Sequence, residues 1–327
     1  MNLTIALIGV VGGIIAIVAI EIVFDATWAL TQRGWTHKES GRFSNAIADF
    51  SRAIHLRPRN KWAIAGKAQL HRLMGHYEAA LADFNQALML DPECPWCLAN
   101  RGETYRVLGR YEEALVDLND AIHIAPAFKW AIANRGQVYR QLGYDDEALQ
   151  DFSHALALAP NCLWCLANRG ETYRLLEQYA AALADFDRVI EHNPDYKWAI
   201  ANRGKTYLQL GHDLEALSDF NRALDLDPNC PWCLVNRGEI YRHIEFYEEA
   251  LVDFDRAISL QERDANELDP NYVRCLGNRG EVYRQRGQLD RALADFNHAL
   301  ELQPDNDWLQ QHRALALQGH GNAENSA

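Results

Sequence analysis

The stretch "CPWCLANRGETYR", residues 94–106, decides the fold because the chain repeats it. It returns as "CLWCLANRGETYR" at 162–174 and "CPWCLVNRGEIYR" at 230–242, and the gaps hold "KWAIANRGQVYR" at 129–140 and "KWAIANRGKTYL" at 197–208. The tryptophans at 96, 130, 164, 198 and 232 are therefore each 34 residues apart. A fixed period of this size is the mark of stacked supersecondary units, and it has to be settled before any single motif is interpreted.

Aligned on that period, eight units place a small residue at Gly34, Ala68, Gly102, Gly136, Gly170, Gly204, Gly238 and Gly280. Twelve residues after each stands an alanine, from Ala46 to Ala292, and four further on a phenylalanine, from Phe50 to Phe296, with Leu118 the exception. Prolines at 58, 92, 126, 160, 194, 228 and 304 close the units, since proline removes a donor and restricts the residue before it. Each unit reads as two amphipathic helices joined by a short turn.

The spacing of glycine, tyrosine, alanine, aromatic residue, alanine and proline resembles the tetratricopeptide repeat family over residues 25–306. The resemblance implies an all-α solenoid, a right-handed superhelix of helix pairs whose concave wall binds proteins. Between Gly238 and Gly280 the period gains eight residues, and "QERDANEL" at 261–268 is expected to lengthen a helix. Residues 307–318 are expected to form a capping helix, and 319–327 a loose tail.

At 48% hydrophobic residues the chain has ample apolar surface for a folded body, and its formal charge of −13 argues against non-specific attraction to nucleic acid. Residues 1–24 carry no charge from Leu3 to Ile20, close to the roughly 20 residues that span a bilayer, and read as an uncleaved single-pass anchor. Arg33, Lys38 and Arg42 follow it, which places the repeats on the cytoplasmic side. Gly9 and Gly13 could bring two such helices together, so association between copies is an open alternative.

The paired cysteines, Cys94 with Cys97, Cys162 with Cys165 and Cys230 with Cys233, invite a metal or redox reading. Pairs 68 residues apart on a rod cannot converge on one zinc, and the intervening units carry a large and a small residue instead, so packing thiols are the expectation. No nucleophile–base set, phosphate loop or metal constellation is evident; neither catalysis nor a cofactor is expected.

Helical geometry turns Leu98, Gly102 and Tyr105 toward the partner helix and Trp96, Asn100, Glu103 and Val107 the other way. Candidate binding residues are therefore Trp96, Trp130, Trp164, Trp198 and Trp232, and four positions later Asn100, Asn134, Asn168, Asn202, Asn236 and Asn278. An amide matches the donor and acceptor of a peptide unit, though local hydrogen bonding is the competing use. Arg106, Arg140, Arg174, Arg242 and Arg284 form a basic column suited to a partner with acidic side chains or a free carboxylate. A second basic column, Arg33 to Arg279, is matched by an aspartate sixteen residues on and reads as intra-unit ion pairs.

Overall fold

A computed structural model describes residues 24–261 and 270–324 and is helical throughout, without strands among those residues. The proposed anchor at 1–24, apart from Phe24, and most of the insertion at 261–268 lie outside them. Among the described residues no helix is long and apolar enough to cross a membrane. The chain divides into two compact units, Met1–Cys162 and Leu163–Ala327.

The first unit holds α1 (24–39), α2 (Phe43–Leu56), α3 (Lys61–Leu73), α4 (Tyr77–Leu90), α5 (Pro95–Val107), α6 (Tyr111–Ile124), α7 (Lys129–Gln141) and α8 (Asp145–Leu158). The second holds α9 (Leu163–Leu175), α10 (Tyr179–His192), α11 (Lys197–Gln209), α12 (Asp213–Leu226), α13 (Pro231–His243), α14 (Tyr247–Gln261), α15 (Pro270–Gln285), α16 (Leu289–Leu302) and α17 (Asp307–Glu324). Within each unit an odd-numbered helix packs on the even one after it and also touches the next odd one, as α5 touches α7 and α13 touches α15.

The small residues explain the pairing. Phe50, Phe152, Phe186, Phe220, Phe254 and Phe296 are completely buried, and the glycine column is what they press against. A Cβ on Gly238 would stand 2.7 Å from the Phe254 ring, and one on Gly170 2.9 Å from Phe186. Such contacts are closer than carbon atoms tolerate, so the glycines let the two backbones approach. The alanines at 46, 80, 114, 148, 182, 216, 250 and 292 are fully buried on the facing helix.

The turns inside the pairs require a left-handed residue. Glycine supplies it at Gly41, Gly75, Gly109, Gly143, Gly211 and Gly287, but Glu177 and Glu245 hold φ of 57° and 63° in two of them. A residue with a Cβ is strained there. Two expectations from the sequence change. Residues 319–324 are helical and belong to α17, not to a loose tail, because Gly319 lies against Leu289 and His320 Nε2 reaches Asp290 at 2.9 Å. The cap is thus longer than its hydrophobic pattern suggests.

Glu177→Gly and Glu245→Gly should each raise stability by about 1 kcal/mol, the left-handed strain outweighing the extra backbone entropy of glycine. Chemical denaturation reads the effect as a higher midpoint; a lower midpoint for either variant would contradict it.

Candidate functional site: the inner faces of the odd-numbered helices

Two sides of each odd-numbered helix have separate tasks. On the side toward the partner helix, the arginine after each asparagine grips the aspartate sixteen residues on. Arg101 Nε and Nη2 donate to both Asp117 oxygens at 2.7 and 2.6 Å, and Arg203 does the same to Asp219 at 2.8 and 2.6 Å. The fork recurs at Arg33–Asp49, Arg135–Asp151, Arg169–Asp185, Arg237–Asp253 and Arg279–Asp295, with Lys67–Asp83 as a looser member. The aspartate hydrogen bond is the main reason the Arg101 and Arg203 pKa values rise above the ordinary arginine value. Several of these arginines also reach back one repeat, as Arg135 Nη1 does to Asn119 at 2.7 Å and Arg237 Nη1 to Asn221 at 2.8 Å.

The other side carries the predicted binding residues, and its three rows fare differently. The tryptophans sit on the surface: Trp198 is 36% exposed and Trp96, Trp130, Trp164 and Trp232 are half-buried. They also seal joints, since Trp232 lies edge-on to Phe220 at 5.9 Å and Trp96 to Phe84 at 6.3 Å. One face of each ring is spent on packing while part of the rest meets solvent.

The asparagine row is not the open ladder the sequence suggested. Asn100, Asn134, Asn168, Asn202, Asn236 and Asn278 are all buried. Each Nδ2 donates to the carbonyl four residues back, Asn134 to Trp130 at 2.7 Å and Asn236 to Trp232 at 2.7 Å among them. Local bonding wins because a buried amide needs a partner that is always present. The acceptor oxygens are used as well where the neighbouring helix offers a donor: Lys205 Nζ lies 2.7 Å from Asn236 Oδ1.

The basic row divides into paired and unpaired members. Arg106 forks onto Glu103 at 2.7 and 2.9 Å and touches Gln141 at 3.3 Å; Arg284 forks onto Glu281 at 2.7 and 2.6 Å. Arg174 meets Glu171 at 3.9 Å and Gln209 at 3.2 Å, and Arg140 closes the row in the first unit. At α13 the expected Glu239–Arg242 pair is not formed. Glu239 is taken by Arg274, which donates to it through Nε at 2.6 Å and also through Nη2, leaving Arg242 without an ion pair among the described residues. Arg72, at the same place on α3, also has none, and burial pushes its pKa below the ordinary value.

Spacing alone does not single out the Lys205–Asn236–Arg274–Glu239 cluster, because two of its members stand where the repeat carries other residue types. Arg274 stands where the other repeats carry tryptophan, and Lys205 where the others carry Glu or Gln, apart from Trp35 in the first. Beside the cluster an open cavity of about 480 Å³ is lined by Arg242, His243, Arg274, Asn306 and Trp308, with room made by Gly277, whose Cβ would meet Leu309 at 2.8 Å. Desolvation, with Arg274 and Arg174 adding repulsion and Glu239 opposing, pulls the Lys205 pKa down to about 8.

The cysteine pairs also differ from the packing-thiol expectation. Cys94–Cys97 and Cys230–Cys233 are closed disulfides, because the N-cap and third helical residue face each other across one turn, Cα to Cα 5.3 Å apart. Cys275, the seventh cysteine, is buried.

The comparisons with known proteins agree with this architecture. Tetratricopeptide repeat models match residues 29–60, 65–127, 130–162, 164–196, 198–230 and 231–305, and the chain belongs to that family. Among solved structures it is similar to one from the APC/C hetero-tetramer Cut9-Hcn1, with a TM-score of 0.70 at 16% identity over 84% of this chain. The chain spans 52% of the length of that one. A tetratricopeptide repeat protein of Parabacteroides merdae gives 0.53 at 19% identity, covering 90% of this chain and 99% of its own. No curated protein matches the sequence.

Lys205 gives a pH test. Its folded pKa lies below the unfolded lysine value of about 10.4, so its charge destabilises the fold at neutral pH and the penalty fades as pH rises from 8 toward 10.4. Lys205→Gln should therefore stabilise by about 2 kcal/mol at pH 7, with the gain shrinking toward pH 10. A pH-independent difference, or an NMR titration of the amine near 10.4, would contradict this.

Proposed function

We propose that this protein is a membrane-anchored interaction scaffold whose odd-numbered helix faces bind an extended segment of a partner protein, acting by recognition and without catalysis or cofactor. The observation that carries the reading is a row of partly exposed tryptophans beside arginines, of which Arg72 and Arg242 have no ion pair among the described residues, in a chain of net charge −13. An unpaired, half-buried guanidinium is costly unless an anion completes it, so the partner segment bears acidic side chains or a free carboxylate. The structurally similar chain from Cut9-Hcn1 belongs to a hetero-tetramer, in keeping with a role in assembly. Residues 1–24 form the single-pass anchor, and the basic residues after it set the repeats on the cytoplasmic side.

With the asparagines buried, the tryptophans and arginines supply the contacts, and the amides hold the helix faces in place. A second reading, a thiol–disulfide exchange module, is favoured by the closed Cys94–Cys97 and Cys230–Cys233 pairs. Titration in a glutathione buffer discriminates: pairs that do not exchange with it at any ratio of reduced to oxidised form remove it.

The main reading is tested by capture of partners on the detergent-solubilised full chain, comparing wild type with Arg72→Gln/Arg106→Gln and with Arg242→Gln/Arg284→Gln. Loss of two charge-assisted contacts should lower recovery of the specific partner by at least about tenfold and flatten its salt dependence. Undiminished recovery by both variants would refute the basic row as the binding surface.

A further inference from the structure

We propose that the end of the first unit formed by the start of α1 and the α2–α3 turn is a docking face for a bilayer surface carrying anionic phospholipid headgroups. This rests on the anchor reading of residues 1–24 given above.

Three large apolar side chains are exposed together there: Phe24 at 53%, Trp28 at 62% and Trp62 at 46%. They line one open cavity of about 520 Å³ with Arg57, Arg59 and Lys61. Phe24 and Trp28 are one turn apart on α1, and Trp62 is the second residue of α3. Further along the chain the equivalent tryptophan leans on a phenylalanine of the preceding repeat, as Trp198 does on Phe186 at 6.5 Å. Trp28, on the first described helix, has no such ring in front of it among the described residues.

The basic groups are arranged over the rings. The Arg57 guanidinium sits 5.1 Å from the Phe24 centroid and the Lys61 ammonium 4.9 Å from that of Trp62. Asp91 neutralises Lys61, whereas Arg57 and Arg59, both exposed, have no ion pair among the described residues. Asp25, exposed on α1, is the nearest acidic residue in sequence to the aromatic pair.

Amphipathic rings flanked by arginines, immediately after an apolar stretch of bilayer length, are the composition of a headgroup-level belt. The rings lie among glycerol and carbonyl groups while the guanidiniums meet phosphate. The chain as a whole is acidic, so attraction to an anionic leaflet has to be local, and this face supplies it. Phe24 directly continues the apolar segment in sequence, so an anchored chain brings this face up to the surface.

The full chain is reconstituted into phosphatidylcholine vesicles, with and without phosphatidylglycerol, and tryptophan emission is read with either lipid brominated. Alkaline carbonate extraction is run in parallel. Brominated phosphatidylglycerol should quench more than brominated phosphatidylcholine, and Trp28→Phe/Trp62→Phe should lose that excess. Arg57→Gln/Arg59→Gln should cut the docked-to-free ratio by roughly fivefold per arginine. Equal quenching by the two lipids in all three proteins overturns the proposal. So does protection of Trp28 and Trp62 from both lipids, the result if residues 1–23 or a partner peptide fill the cavity. Carbonate resistance without lipid-selective quenching overturns docking and leaves the anchor. Extraction with selective quenching retained overturns the anchor and leaves docking.

Discussion

The bidentate grip of an arginine on the aspartate of its own repeat, made in every repeat except the second, where Lys67 takes its place, is the interaction on which the rest of this structure depends. The aspartates facing an arginine, Asp49, Asp117, Asp151, Asp185, Asp219, Asp253 and Asp295, are buried carboxylates, and a buried carboxylate is tolerable only when its oxygens are satisfied. The fork does this with two parallel hydrogen bonds and fixes the rotation of one helix against the other, since both oxygens must be met at once. The same arginine lies near the ring of the tyrosine four residues on, Arg135 being 5.7 Å from the Tyr139 centroid. Its remaining nitrogen ties back to the previous repeat in Arg101, Arg135, Arg203, Arg237 and Arg279. One side chain thus links the two helices of a repeat and connects neighbouring repeats.

Because that side of each odd-numbered helix is consumed by the fork and by the glycine–phenylalanine contact, the opposite side is left for other uses. Repetition then turns single residues into rows. Where the rows are regular, charges cancel locally, as Glu103 with Arg106. Where they break, at Lys205 and Arg274, positive charge accumulates and one carboxylate, Glu239, is drawn away from its own helix. The irregular repeat is therefore the electrostatically distinct one.

The period was legible in the sequence because each structural role is bound to one residue type: glycine under phenylalanine, alanine at the crossing, arginine sixteen residues before aspartate. The forks could be read from spacing alone, since two rows of opposite charge at constant separation have a single consistent pairing. The asparagine row misled because an amide's chemistry is the same whether it faces a ligand or the carbonyl one turn back, and only burial separates the two. Gaps were harder still. Arg274 in the tryptophan row resembles a missing residue until the neighbouring helix shows it seated on Glu239. The cysteines gave a third case: their first-turn spacing was visible, but the closing of the pairs depends on where the N-cap falls.

In the proposed function, partners touch the side of each odd-numbered helix opposite the forks. Site-specific photo-crosslinking tests this, with the probe placed in turn at Val107 and Gln137 on that side and at Val116 and Leu214, both well exposed on even-numbered helices. Partner adducts should form from the first two positions and not from the second two. Adducts from Val116 or Leu214, with Val107 and Gln137 silent, would contradict it.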